Sequence, residues 1–229
     1  MTTAGPLKWR TGDGWLVLIC GSSDGWRATE AIDRAAIAAV CDEAPIAFVP
    51  AAGCPPDYGE SFLARYAGLD APRGYIVPIQ DPASARDPAN ARRLAHAGLI
   101  YVGDGDTQRL LATMAGTPAL DALAAAFATG AVIIGAGAGA LALAAWGWTS
   151  DAGIGALKGW GWLPQALLAA HYAQERADGF HAALREHPDL LGIGVPDDVA
   201  LALGPDGEVA TWGRGQITVT LGPKFRPEE

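Results

Sequence analysis

The sequence predicts an α/β fold: a single three-layer domain over residues 1–229, with a mostly parallel, doubly wound central sheet and β-hairpins toward its C-terminal end. Three observations predict it. Short apolar runs rich in Val, Ile and Leu alternate with segments of helical spacing, the pattern of strands that helices bury on both faces. Loops of small residues close three of those runs, at 21–25, 103–107 and 135–139, and open α/β sheets gather ligands at such strand ends. The 229 residues are 50% hydrophobic and 18% charged, which supports a substantial core and argues against extended disorder.

Trp15–Cys20 (WLVLIC) reads as the first strand, and Arg27–Ala44 carries Ala and Ile at helical spacing. Ile46–Val49 is a second strand stopped by Pro50, and Tyr58–Leu69 a helix with Phe62, Leu63, Tyr66 and Leu69 on one side. Tyr75–Ile79 is a third strand, Pro88–Ala97 a short helix and Leu99–Val102 a fourth strand. Helices follow at Gln108–Ala115 and Ala119–Thr129, the second opened by Thr117-Pro118, because Pro is preorganised for a first helical turn. Ala131–Ile134 is a fifth buried strand, then a glycine-rich corner, then an Ala/Leu run to Ala145 with good helix propensity. Ser150–Leu163 is rich in Gly and Trp and reads as turns with a short hairpin. Gln165–Tyr172 leads through His171 to a helix at Ala173–Glu186. Strands are expected at Gly192–Val195, Val199–Leu203, Glu208–Trp212 and Gln216–Leu221, with Asp206-Gly207 as a hairpin turn and Lys224–Glu229 as a frayed tail.

A net charge of −9 and a pI near 4.8 argue against nucleic-acid and anionic-membrane partners, since both select basic surfaces. Three cysteines, Cys20, Cys41 and Cys54, with no C-x-x-C pair indicate neither a disulfide framework nor a zinc site. No other spacing of His, Cys, Asp and Glu reads as a metal site, and no cofactor is expected. Gly103-Asp104-Gly105-Asp106 is acidic and lacks the lysine of a phosphate-binding loop. The first residues lack the apolar core of a signal peptide and no run of about 18 apolar residues is present, so a cytoplasmic location is the expectation. Trp146, Trp148, Trp160 and Trp162 read as a packed flap or a dimer contact, which leaves room for a homodimer.

The corner at Gly135-Ala136-Gly137-Ala138-Gly139 is the stretch around which the chain is organised. Strand, sharp corner and helix are the context of a nucleophile elbow, G-x-S-x-G, in which a strained turn lifts one side chain above the sheet. Gly137 stands at that position and has no side chain to lift. Three more stretches complete a pattern: IYVGDGDTQRLL (Ile100–Leu111), Ala169-Ala170-His171-Tyr172 and GIGVPDDVALAL (Gly192–Leu203). In this order and spacing they resemble the dipeptidase E and cyanophycinase group of serine peptidases, whose fold is like that of class I glutamine amidotransferases and of flavodoxin-like sheets.

The resemblance implies a peptidase site with Gly137 at the nucleophile position, left vacant, and His171 as general base. Asp197 matches the orienting carboxylate, and Asp151 is the other carboxylate the pattern offers. Backbone N–H groups of Ala138 and of the Asp104-Gly105 loop match an oxyanion hole. Asp104 and Asp106 stand where the family has glycine and asparagine, and add negative charge beside that hole. Each residue also has a plainer reading: His171 as a hydrogen-bonded histidine, and Asp151, Asp197 and Asp198 as turn formers. Ser22, Ser23, Cys54, Thr149 and Ser150 lie on loops near the crevice and are the substitute nucleophiles to weigh. The resemblance thus leads to a silent or nearly silent homologue that binds a small peptide or acidic ligand. The alternatives are a hydrolase that uses an unrecognised nucleophile or a water activated by His171, a structural or dimerisation module, and an engineered replacement of serine.

Overall fold

A computed structural model of the protein describes residues 1–22, 25–41, 43–149 and 155–226, without the side chains of Trp26 and Arg176. The first half contains β1 (Thr2–Ala4), β2 (Leu7–Trp9), β3 (Leu16–Ile19), α1 (Glu30–Ala38), β4 (Ile46–Val49), α2 (Tyr58–Ala67), β5 (Gly74–Ile76), α3 (Pro82–Ala85), α4 (Pro88–Ala95) and β6 (Leu99–Val102). Then come α5 (Thr107–Met114), α6 (Pro118–Ala128), β7 (Val132–Ala136), α7 (Ala138–Leu143), β8 (Ala144–Thr149), β9 (Gly155–Lys158) and β10 (Leu163–Ala169). The last elements are α8 (Asp178–Glu186), β11 (Leu191–Gly194), β12 (Val199–Leu203), β13 (Val209–Gly213) and β14 (Thr218–Leu221).

Seven strands form the main sheet in the order β13-β12-β3-β7-β6-β4-β5. Its five inner and far strands run parallel, and β12 and β13 are antiparallel. Side chains alternate across a strand, so each central strand feeds two cores. Val17, Ile19, Phe48, Tyr101, Val132 and Ile134 face α1 and α2 with Ile32, Phe62 and Tyr66. Leu16, Leu18, Val49, Ile100, Val102 and Ile133 face the opposite way, onto Leu94, Leu110 and Leu123 of α4, α5 and α6. Burial on both faces explains why β3, β4, β6 and β7 read as unbroken apolar runs, while edge strand β13 alternates exposed and half-buried.

A second sheet of five strands, β14-β11-β10-β8-β9, lies against the larger core. Its Leu167 and Ala169 turn the other way and are covered by Phe180 and Leu184 of α8. The sequence reading missed this sheet as a separate body. The Ala/Leu run is helical only to Leu143, because Ala144 is extended (φ −70°, ψ 169°) and opens β8. The hairpin expected in the Gly/Trp-rich stretch is β8 with β9, whose connecting residues 150–154 lie outside the described residues. Likewise β1 and β2, three residues each, are too short to show a period. The first helix is shorter than its spacing implied: a 3-10 turn at Gly25–Arg27 precedes it, and it ends at Ala38. No single helix among the described residues is long and apolar enough to cross a membrane.

Strand order decides where the loops meet. β7 pairs with β3 on one side and β6 on the other, all parallel, so the loops after Ile19, Val102 and Ala136 emerge side by side. β12 runs antiparallel to β3, which brings its leading residues, Asp197 and Asp198, to the same end.

Candidate active site

The corner after β7 has the conformation that its glycine permits. Gly137 sits at φ 48°, ψ −106°, a region that side-chain-bearing residues enter only with strain, and its N–H donates to the Ile19 carbonyl at 2.8 Å. α7 starts at the next residue.

Asp104, on the neighbouring loop after β6, reaches over this corner. Its Oδ1 accepts from the backbone N–H of Gly105 at 2.7 Å and from that of Ala138 at 2.8 Å. Two backbone N–H groups converging on one oxygen are the components of an oxyanion hole, and here the oxygen belongs to the chain itself. A Cβ built on Gly137 would overlap the Asp104 carboxylate. Asp106, the other aspartate of this loop, turns its Oδ1 to Arg109 N at 3.0 Å and caps α5, the usual task of an aspartate there.

On the far wall, His171 follows β10 at φ 49°, another left-handed residue, and its Nδ1 lies 2.8 Å from Asp197 Oδ1. With Nδ1–H donating to the carboxylate, Nε2 is left to accept a proton, the division of labour a general base needs. The pair crosses directly above Gly21, where any Cβ would overlap both side chains. Asp198, at φ 66°, donates its N–H to the Gly21 carbonyl at 3.2 Å and locks the turn that presents Asp197. His171 and Asp197 side chains are 57% and 37% exposed, so the pair adds little to stability. Asp151 lies outside the described residues.

Between these walls is a cavity of about 330 Å³, lined by Ser22, Thr29, Tyr58, Tyr101, Asp104 and His171 among others. The Tyr58 and Tyr101 hydroxyls are hydrogen-bonded to each other, and burial holds both phenols above their ordinary range, with Tyr101 also pushed by Tyr58. They therefore face the cavity as neutral polar groups. Sequence reasoning missed both, because an apolar strand and an amphipathic helix explain them without a site. The substitute nucleophiles fare poorly. Ser22 donates its hydroxyl to the Gly25 carbonyl. Burial raises the Cys54 thiol, and raises that of fully buried Cys20 far more, with Asp104 and Asp197 adding to it, so neither is activated. Thr149 lies on β8 and does not line the cavity, and Ser23 and Ser150 are outside the described residues. No group of three His, Cys, Asp or Glu among the described residues could hold a metal ion.

The four tryptophans do not cover the crevice. Trp162 is buried in the main core against Phe127 at 5.3 Å, while Trp148 meets Phe180 edge-on at 5.9 Å and Trp146 packs on His187 at 4.2 Å, both half-buried on the α8 side of the second sheet. Trp160 packs against the main core.

Among known proteins, a cyanophycinase of Geminocystis herdmanii is 24% identical over 218 residues, covering 90% of this chain and 80% of its own. A cyanophycinase of Synechococcus elongatus is 28% identical over 217 residues, covering 90% of this chain and 67% of its own. In three dimensions, a peptidase from an acI-B1 actinobacterium superposes with a TM-score of 0.75 at 19% identity, over 94% of this chain and 95% of that one. A Listeria monocytogenes protein named for peptidase E gives 0.61 at 15% identity, over 88% and 99% of the two chains. The sequence profile of peptidase family S51 matches residues 16–209, nearly the whole α/β body, and the chain belongs to that family.

Proposed function

We propose that this protein is a member of its peptidase family that does not hydrolyse peptides and that uses the crevice to bind a small one. The observation that carries this reading is Asp104 Oδ1 bonded to both Gly105 N and Ala138 N, directly over a corner without a side chain. Acyl transfer needs an attacking oxygen or sulfur and donors open to the oxyanion that develops. Gly137 supplies no such atom, and the donors are already engaged by a fixed negative charge. Of the two ligand classes, a peptide fits better than an acidic molecule, since among the described residues no Lys or Arg lines the cavity and a carboxylate stands in it.

Loss of the nucleophile and filling of the hole are sterically one change, because a side chain at 137 and the present Asp104 position exclude each other. The test is hydrolysis of aspartyl and isoaspartyl dipeptides by four proteins: the unmodified chain, Gly137→Ser, Asp104→Gly and the double variant. Cleavage by the double variant far above that of Gly137→Ser, and none by the two proteins that keep Gly137, is the expected result. Turnover by the unmodified chain would overturn the reading and favour the second one, in which the intact His171–Asp197 pair activates water.

A further inference from the structure

We propose that Asp104 gives the crevice the opposite polarity to that of a hydrolytic site, so that its ligand presents an ammonium group, such as the amino end of a short peptide, to the free oxygen of this carboxylate. The inference rests on the crevice being a binding site, and adds the charge of what it binds.

An oxyanion hole is electropositive and receives electron-rich oxygen. Here both N–H donors are consumed by Asp104 Oδ1, while Oδ2 has no hydrogen-bond partner among the described residues. The result is an exposed carboxylate anchored at one oxygen and open at the other. A fixed oxygen acceptor pays little further ordering entropy when it receives a charged donor, and such charge-assisted bonds are the strong ones. The rest of the lining agrees with a cationic guest. Asp197 stands behind His171, and among the described residues neither Lys nor Arg lines the cavity to compete for Asp104. Tyr58 and Tyr101, held neutral by burial, and Ser22 and Thr29 add polar groups without positive charge. One carboxylate and one histidine are too few for a metal site, which is consistent with the want of any metal-binding cluster among the described residues. At about 330 Å³ the cavity admits a ligand of dipeptide size.

The test uses two probes of matched shape, alanyl-alaninamide with a charged amino end and its N-acetylated form, titrated calorimetrically into the full chain at low and physiological salt. The amine is expected to bind about tenfold tighter than the acetylated form. Asp104→Asn keeps an oxygen for the N–H groups but removes the charge, and should bring the ratio near one, as should Asp104→Gly. A thermal melt on each variant checks that it folds. Equal affinity for the two probes, a ratio that survives both substitutions, or no binding of the amine would overturn the proposal. Hydrolysis of the amine probe by the unmodified chain would instead defeat the non-hydrolytic reading while leaving the charge preference to be judged by the same ratio.

Discussion

The two walls of the crevice differ in how far each keeps the parts of a hydrolytic site. On one, His171 and Asp197 meet at 2.8 Å with the geometry that a base and its orienting carboxylate require. On the other, the corner at Gly137 has no reactive atom and Asp104 occupies the N–H cradle. The walls are built by different elements. His171 follows β10 of the second sheet, and the corner belongs to the centre of the main sheet. Nothing in the packing forces them to change together. Within the corner wall, by contrast, residues 104 and 137 compete for one volume, so a change at one constrains the other. The lesson is that a site divides into units at steric boundaries, and that each unit can be altered as a whole.

The largest effect should come from reuniting the walls. Gly137→Ser with Asp104→Gly is expected to exceed Gly137→Ser alone by about 10²- to 10³-fold in dipeptide kcat/KM, the usual worth of an oxyanion donor. Equal activity of the two would show that Asp104 moves aside readily and break the steric argument. In that double variant, Asp197→Asn should lower kcat by about 10⁴-fold if the pair works as a base and its orienter. A much smaller loss would reduce His171 and Asp197 to a turn contact.

Stability measurements sharpen the contrast between a carboxylate that serves the site and one that serves the fold. Asp33, just below the cavity residue Thr29, is buried between Arg65, Tyr66 and Thr29, with Tyr66 donating to it at 2.8 Å and Arg65 Nε at 3.1 Å. Asp33→Ala leaves the guanidinium, 13% exposed, without this carboxylate, and should cost about 3–5 kcal/mol in denaturant unfolding. Asp197→Ala, at the surface, should change stability by less than about 1 kcal/mol. A change of the opposite sign is expected at His171 itself. Because it sits at φ 49°, His171→Gly should relieve backbone strain and raise stability by about 1 kcal/mol, unless the bond to Asp197 already offsets that strain.

Much of this was legible from the chain itself. The alternation of apolar runs with helical segments marked the parallel sheet, because strands covered on both faces tolerate no polar residue. Glycine at 135, 137 and 139 marked a corner, because close approach and positive φ select glycine whatever the surroundings. The helix start at Thr117-Pro118 follows from local spacing alone. Tertiary structure decided the rest. Whether His171 meets Asp197 depends on how a second sheet docks on the first, and that sheet was hidden in an Ala/Trp stretch whose pattern fits helix and turn equally. The aim of the Asp104 carboxylate was beyond the sequence too. Composition showed a negative charge beside the corner, but only the register that sets β6 against β7 puts that charge inside the cradle, since a side chain's direction is settled by the strand next to it and not by its neighbours in the chain.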